Sequence, residues 1–282
     1  MQIIRMQVFR HLLVIFISMI AASESPANAP GTLEESVCGS VREPFAFWLW
    51  SRAAGKPNPK IASSTPNAVP TEYKTRDGRL LKGYKLASTA AGGTVVGAVL
   101  VAQGNAMLAD QLISDLNPFA QAGIEVYIFD YRGYGDSEGK PRLKAIVSDY
   151  RELFDHLGTI TQGRRFLYGI SFGGVVLLNV IGSGIAFDRA VIDSTPGHVS
   201  NLGCPQRYDP AANFPRDASG VLVIAGGQDT VVPLKDSQAL IELARARGGR
   251  AEVQAEYAHP FMDADFRVHR NRLELIRLFL AG

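Results

Sequence analysis

The chain has 282 residues, 46% hydrophobic and 20% charged, with 28 Gly, 15 Pro and 2 Cys. That composition excludes collagen, a disulfide scaffold and wholesale disorder, and the length is enough for one large α/β domain or two small ones. The formal charge is only +2, and Arg5 and Arg10 lie in a segment expected to be removed; the neutral remainder has no strong field that would attract nucleic acid or an anionic membrane.

Arg5, Arg10 and His11 precede an apolar run over residues 12–22, and small or polar residues follow at Ala22, Ser23, Ser25, Ala27 and Ala29. A basic start, a short apolar run and a small-residue exit read as a secretory signal peptide over residues 1–23, with Ala21 at −3 for cleavage after Ser23. The expected destination is the periplasm or the exterior. The alternative is an uncleaved membrane anchor, but the run is about eleven residues against the roughly twenty that span a bilayer. In an oxidising compartment Cys38 and Cys204 could pair; their spacing is not diagnostic, and two free thiols fit as well.

Residues 24–70 are rich in Pro, Ala and Ser and read as a linker with one short helix at Phe45-Ala46-Phe47-Trp48-Leu49-Trp50. Phe45, Phe47, Trp48 and Trp50 either cover an edge of the main domain or touch a membrane surface weakly.

Residues 71–282 carry a regular alternation. Residues 72–75 and 79–88 flank Asp77-Gly78, a hairpin signal. Strands are expected at 95–102, 125–129, 166–169, 190–192, 221–225 and 251–256. Helices are expected around 106–123 and at 143–157, 172–181, 236–246 and 266–280. Continuous apolar strands separated by helices imply a parallel sheet covered on both faces.

Gly169-Ile170-Ser171-Phe172-Gly173 sits between a strand and a helix, the context that turns a short motif into a nucleophile elbow. The turn strains the serine backbone, demands tiny neighbours two residues away, and aims a helix N-terminus at the site. A serine needs a base. His11 falls in the signal; His156 and His269 fall in helical patterns; His198 falls in an irregular stretch. His259 follows the last strand, in a loop that can reach over the sheet. Asp229, at the end of the 221–225 strand, is the expected partner carboxylate, with Asp193 as rival. The order Ser171, Asp229, His259 is that of one scaffold and not of the chymotrypsin or subtilisin types. Oxyanion donors are expected at the backbone N–H of Phe172 and, from the turn Gln103-Gly104-Asn105, of Asn105. The glycine-rich Asp130-Tyr131-Arg132-Gly133-Tyr134-Gly135-Asp136 stretch lacks a Walker pattern, and Arg132 and Asp136 read as structural. No Cys/His cluster suggests a metal, and no cofactor is expected.

Together these motifs resemble an α/β-hydrolase, closest to the nearly lidless group of serine-aminopeptidase-like hydrolases and depalmitoylating thioesterases. The resemblance covers residues 71–281. It implies a mostly parallel twisted sheet of about eight strands with helices on both faces and a minimal cap, and it assigns Ser171, Asp229 and His259 as nucleophile, acid and base. Gln103 stands where the family usually has His, Ala225-Gly226 where it often has His-Gly, and Tyr257-Ala258 where a Gly usually precedes the catalytic His. The segment 195–220, the only room for a cap, is too rich in Pro and Gly for a helical lid, so an open, shallow acyl pocket is expected. The implied reaction is hydrolysis of an ester or thioester on a small-molecule or acyl-group substrate, with activity rising through about pH 6–7 as a histidine base loses its proton. The alternatives are a serine aminopeptidase, which would want an acidic pocket for a substrate amine, and a non-catalytic binding module on the same fold.

Overall fold

Runs of Val, Ile, Leu and Ala bounded by glycines form the strands of one sheet. The computed structural model describes residues 32–161 and 163–282; the expected signal segment, residues 1–23, lies outside them. Within the described residues two helices come first, α1 (Arg42–Ala54) and α2 (Pro59–Ser64), then β1 (Ala68–Lys74), β2 (Leu80–Leu86) and β3 (Gly97–Ala102). Short helices α3 (Ala109–Leu112) and α4 (Asn117–Gln121) lead to β4 (Ile124–Phe129), followed by α5 (Leu143–Ile160), β5 (Arg164–Ile170), α6 (Phe172–Gly182) and β6 (Arg189–Asp193). The chain closes with β7 (Val221–Gly226), α7 (Leu234–Ala246), β8 (Arg250–Gln254) and α8 (Phe266–Ala281).

Among the described residues the sheet has eight strands in the order β1-β2-β4-β3-β5-β6-β7-β8. β1 and β2 pair antiparallel around the Asp77-Gly78 turn, and β2 pairs antiparallel with β4; every other pairing is parallel. This is the α/β-hydrolase fold with a minimal cap. Strand residues alternate between two cores because side chains alternate faces. Ala98, Leu100 and Ala102 of β3 join one core with α1, α5, α6 and α7, while Val99 and Val101 join the other with α2, α3, α4 and α8.

Two local expectations change. The helix expected around 106–123 is two short ones, because Pro118 has no N–H to continue a helix and is tolerated only in the first turn of α4. The stretch expected to be a linker contributes Phe47 and Ala54 to one core and Ala62 to the other. Charge and a covalent bond fasten it. Cys38 and Cys204 form a disulfide. The buried Glu43 accepts from the Cys38 amide at 2.7 Å and the Leu143 amide at 2.8 Å. Arg132, fully buried, bonds Asp149 at 2.7 Å and Asp77 at 2.9 Å, and approaches Glu34 at 3.3 Å. It therefore ties the segment after β4 to α5, the first hairpin and the N-terminal segment.

Asp130, at the end of β4, accepts from the Ala109 amide at 2.7 Å. Burial pushes its carboxyl up to about 7, with Asp110 and Asp136 adding to the rise against that amide. The native state then holds a proton that the unfolded chain releases near pH 4, so this group's contribution to stability declines as pH climbs from about 4 to about 7 and is level above that. Asp130→Asn keeps an acceptor for Ala109 and removes the titration. The stability lost between about pH 5 and about pH 8 should shrink in the variant, as read by urea unfolding at both values; an unchanged difference would assign the pH dependence elsewhere.

Candidate active site

Ser171 occupies the single residue between β5 and α6, with φ 54° and ψ −115°. Such a backbone is costly for any residue but glycine and persists because the surroundings leave no alternative. Its N–H donates to the Asp193 carbonyl at 2.8 Å, and its carbonyl accepts from Thr195 Oγ1 at 3.0 Å. The small neighbours are required by contact: a Cβ on Gly169 would lie 2.7 Å from Gly174 Cα, and one on Gly173 would lie 1.9 Å from the Ala102 carbonyl oxygen.

β5, β6, β7 and β8 run parallel side by side, so the residues at their carboxyl ends collect along one edge of the sheet. Ser171 stands at the end of β5, Asp193 at the end of β6, Asp229 just beyond β7 and His259 beyond β8. His259 Nδ1 lies 2.9 Å from Asp229 Oδ2. Asp229 Oδ1 accepts from the Val231 and Val232 amides at 2.9 and 2.8 Å. Burial pushes the Asp229 carboxyl up, but the hydrogen bond and charge of His259 and the Val232 amide outweigh it, and the group is held below the ordinary carboxylate value. It is therefore ionised throughout the neutral range.

Asp193 has other company. It is fully buried, 3.4 Å from the Tyr168 hydroxyl and 3.9 Å from Arg272 Nε, and burial raises its carboxyl despite Arg272 and His259 nearby. The remaining histidines of the described chain also have their own partners: His156 stacks on Tyr73, His198 faces Asp209, and His269 lies between Phe261 and Phe266.

The turn after β3 is braced from below. Gln103 is buried; its Nε2 donates to the Phe129 carbonyl at 3.0 Å, and its Oε1 accepts from the Tyr150 hydroxyl at 3.2 Å. Tyr134 donates to the Asn105 carbonyl at 2.9 Å. A Cβ on Gly104 would lie 4.0 Å from Ser171 Cβ, which puts this turn beside the serine. Phe172 opens α6, and the first amides of a helix have no partner within it.

Two groups of residues at the site carry no motif in the sequence. Arg272, in α8, is buried with its guanidinium 4.2 Å from the Tyr257 ring centroid; it donates to the Ala258 carbonyl at 2.8 Å and meets Asp263 at 3.3 Å. Asp263 in turn accepts from the Ala258 amide at 2.8 Å. The residue before His259 is thus held at both its amide and its carbonyl, where the family usually places a glycine nearby. The second group is aromatic. The Phe172 ring packs against Phe47, Trp50 and Tyr131 at centroid distances of 5.6, 5.8 and 5.6 Å. Of the four aromatic residues expected to act together, Phe47 and Trp50 face inward here, whereas Phe45 and Trp48 are exposed. Helical periodicity divides the run: Phe45 and Trp48, and likewise Phe47 and Trp50, are three apart and share a face, whereas residues two apart do not.

The segment 195–220 has only two 3₁₀ turns, Ser200–Leu202 and Gln206–Tyr208, so it forms no helical lid. Ser171 is nevertheless only 5% exposed. Phe47 and Trp50 of α1, from the far end of the chain, pack on Phe172, the residue next to the serine.

A mostly parallel sheet carrying a strained serine at a strand–helix turn defines a class. The chain belongs to the α/β-hydrolase superfamily. Residues 93–202 match the hydrolase family described as serine aminopeptidase, S33. The uncharacterised protein Rv2307c of Mycobacterium tuberculosis is 31% identical over 276 residues, 87% of this chain and 93% of that protein. An α/β-hydrolase from Vibrio vulnificus superposes with a TM-score of 0.68 at 17% identity, over 90% of this chain and 98% of that one. The esterase Pf2001 of Pyrococcus furiosus superposes at 0.63 and 17% identity, over 80% and 96%.

Proposed function

We propose that this chain hydrolyses carboxylic esters or thioesters through Ser171, His259 and Asp229 by way of an acyl-enzyme. The observation that carries the reading is the His259–Asp229 contact, 2.9 Å, on the sheet edge where Ser171 stands. Asp229 fixes the tautomer with the proton on Nδ1, which leaves Nε2 free to accept. As Ser171 Oγ bonds the acyl carbon, His259 Nε2 takes the hydroxyl proton. The developing oxyanion lies against the Phe172 and Asn105 amides, each such donor being worth roughly 2.7–4 kcal/mol in the transition state. Collapse breaks the bond to the alcohol or thiol, which leaves with that proton. Water then attacks the acyl group with His259 again as base, releases the acid and restores Ser171.

Export to an oxidising compartment is part of this reading, supported by the Cys38–Cys204 bridge, since such bonds persist where thiols are not kept reduced. The S33 family description favours an aminopeptidase as the competing activity. A fluorophosphonate probe should label the folded chain, and a panel of p-nitrophenyl esters of graded length beside aminoacyl anilides should show turnover confined to the esters. Anilide turnover exceeding ester turnover would replace the esterase reading with the peptidase one; absence of labelling would support a binding module.

A further inference from the structure

The loop that carries His259 is gripped on both sides of the histidine by α8. After it, the Met262 amide donates to the His259 carbonyl at 2.9 Å and closes a tight turn over Pro260 and Phe261. Phe261 stands in that turn at φ 65°, a backbone that favours glycine and that a bulky residue keeps only under constraint. Its ring packs on His269 of α8, with centroids 4.9 Å apart. Before the histidine, the Tyr257 carbonyl accepts from the Gln228 amide at 3.0 Å, which laces this loop to the one carrying Asp229. Ala258 follows, with Arg272 Nη2 on its carbonyl and Asp263 Oδ1 on its amide, each at 2.8 Å. The Ala258 carbonyl and the His259 amide share one rigid peptide plane, so fixing that carbonyl fixes the direction in which the backbone enters His259. His269 and Arg272 are three residues apart and lie on one face of the helix.

Packing does not call for a charge at residue 272. Leu273, Ile276 and Leu280 already bury α8 against the sheet. The Arg272 and Asp263 side chains are each 1% exposed, with Nη1 3.3 Å from Oδ2. Taking two charges out of water offsets most of their attraction, and an apolar pair of similar volume would dock the helix as well. What an apolar pair could not do is hold a peptide group in one direction, which a guanidinium fork does with two donors at once. Arg272 Nε also lies 3.9 Å from Asp193 Oδ2, so the same cation faces the rival carboxylate at the end of β6. We propose that Arg272 and Asp263 are positioning residues for His259: they set the peptide before it and so hold its ring on Asp229, at the sheet edge where Ser171 stands. The kinetic consequence rests on the esterase reading; the orientation of the imidazole does not.

Arg272→Lys keeps the charge and loses the fork, so the Ala258 carbonyl and Asp263 cannot both be held. A misplacement of about 1 Å at a reacting group costs about a hundredfold, so kcat on p-nitrophenyl esters should fall by about tenfold to a hundredfold. KM should stay within about twofold, and fluorophosphonate labelling should slow by the same factor as kcat. Asp263→Asn keeps an oxygen for the Ala258 amide but removes the anchor of the guanidinium; it should act in the same direction, and it carries the test if the lysine variant does not fold. Urea unfolding of each variant separates stability from rate: a lower midpoint with kcat of the folded protein unchanged overturns the proposal. In an Asp229→Asn background Arg272→Lys should cost less than it does alone, because both changes act on one imidazole; an equal cost in the two backgrounds overturns the proposal. Nitrogen-15 NMR of histidine-labelled protein reads the His259 tautomer without substrate, the signal being assigned by its loss in His259→Gln. The parent should show the proton on Nδ1, and both variants should show a mixture of tautomers. Parent-like signals in both variants overturn the proposal whether or not the chain cleaves esters. Altered signals in a protein whose parent form turns over no ester would support the positioning role and remove the esterase reading.

Discussion

Ser171→Ala is expected to lower kcat for ester turnover by about a million-fold and to eliminate fluorophosphonate labelling, while the protein stays folded. In the proposed mechanism the change removes the atom that forms the covalent bond, and what would survive is the oxyanion site acting on water, still faster than solution. The fold should tolerate the change. Alanine differs from serine by one oxygen, meets the same backbone strain at φ 54°, and keeps the N–H bond to Asp193 and the carbonyl bond from Thr195. A circular dichroism melt beside the kinetics separates the two effects. Retained turnover in the folded variant would mean that another group attacks the substrate.

Asp229→Asn should reduce kcat by about ten-thousand-fold with little loss of stability. The reason lies in the two amides that already fix the side chain. Val231 and Val232 donate to Oδ1, so an asparagine keeps its carbonyl oxygen there and turns its NH₂ toward His259. The imidazole must then accept at Nδ1 and carry its proton on Nε2, the wrong tautomer for taking a proton from Ser171. KM should change little, because the substituted atom faces the histidine and not the acyl group. A proton NMR or crystallographic assignment of the tautomer checks the mechanism independently of rate. A fall of tenfold or less would point to a base held by something other than this carboxylate. The depressed carboxyl also has a stability consequence. Its contribution is complete above the unfolded value near 4 and is lost only as pH falls below that.

The legible parts of this protein are those in which one residue's requirement is local. The Gly169 and Gly173 positions follow from the backbone a serine elbow needs, and the coordinates put the clash a side chain would make at 2.7 and 1.9 Å. The hairpin at Asp77-Gly78 and the buried strands follow from turn chemistry and apolar runs. The break at Pro118 was available to the same reasoning, since a missing N–H stops a helix, yet the apolar pattern on both sides outweighs it when periodicity alone is followed.

What periodicity could not reach is any pairing across the chain. Cys38 with Cys204, Arg272 with Asp263, and Phe47 with Phe172 are far apart in order and close only after the sheet is assembled. Nothing local marks Arg272 as a buried cation, because burial is decided by which elements cover it. The aromatic run before the domain illustrates the division. Its composition established that large apolar surface had to be placed somewhere; only the packing of α1 against α6 decided that Phe47 and Trp50 go inward and Phe45 and Trp48 outward. The order of Ser171, Asp229 and His259 and the strand-ending contexts that mark them are properties of the chain itself, determined by hydrogen-bonding and steric rules over a few residues. Their arrival on one edge, the choice of Asp229 over Asp193 beside His259, and the closed-in position of the serine belong to the folded sheet, because contact between distant segments is set by the total burial of the molecule and not by any window of its sequence.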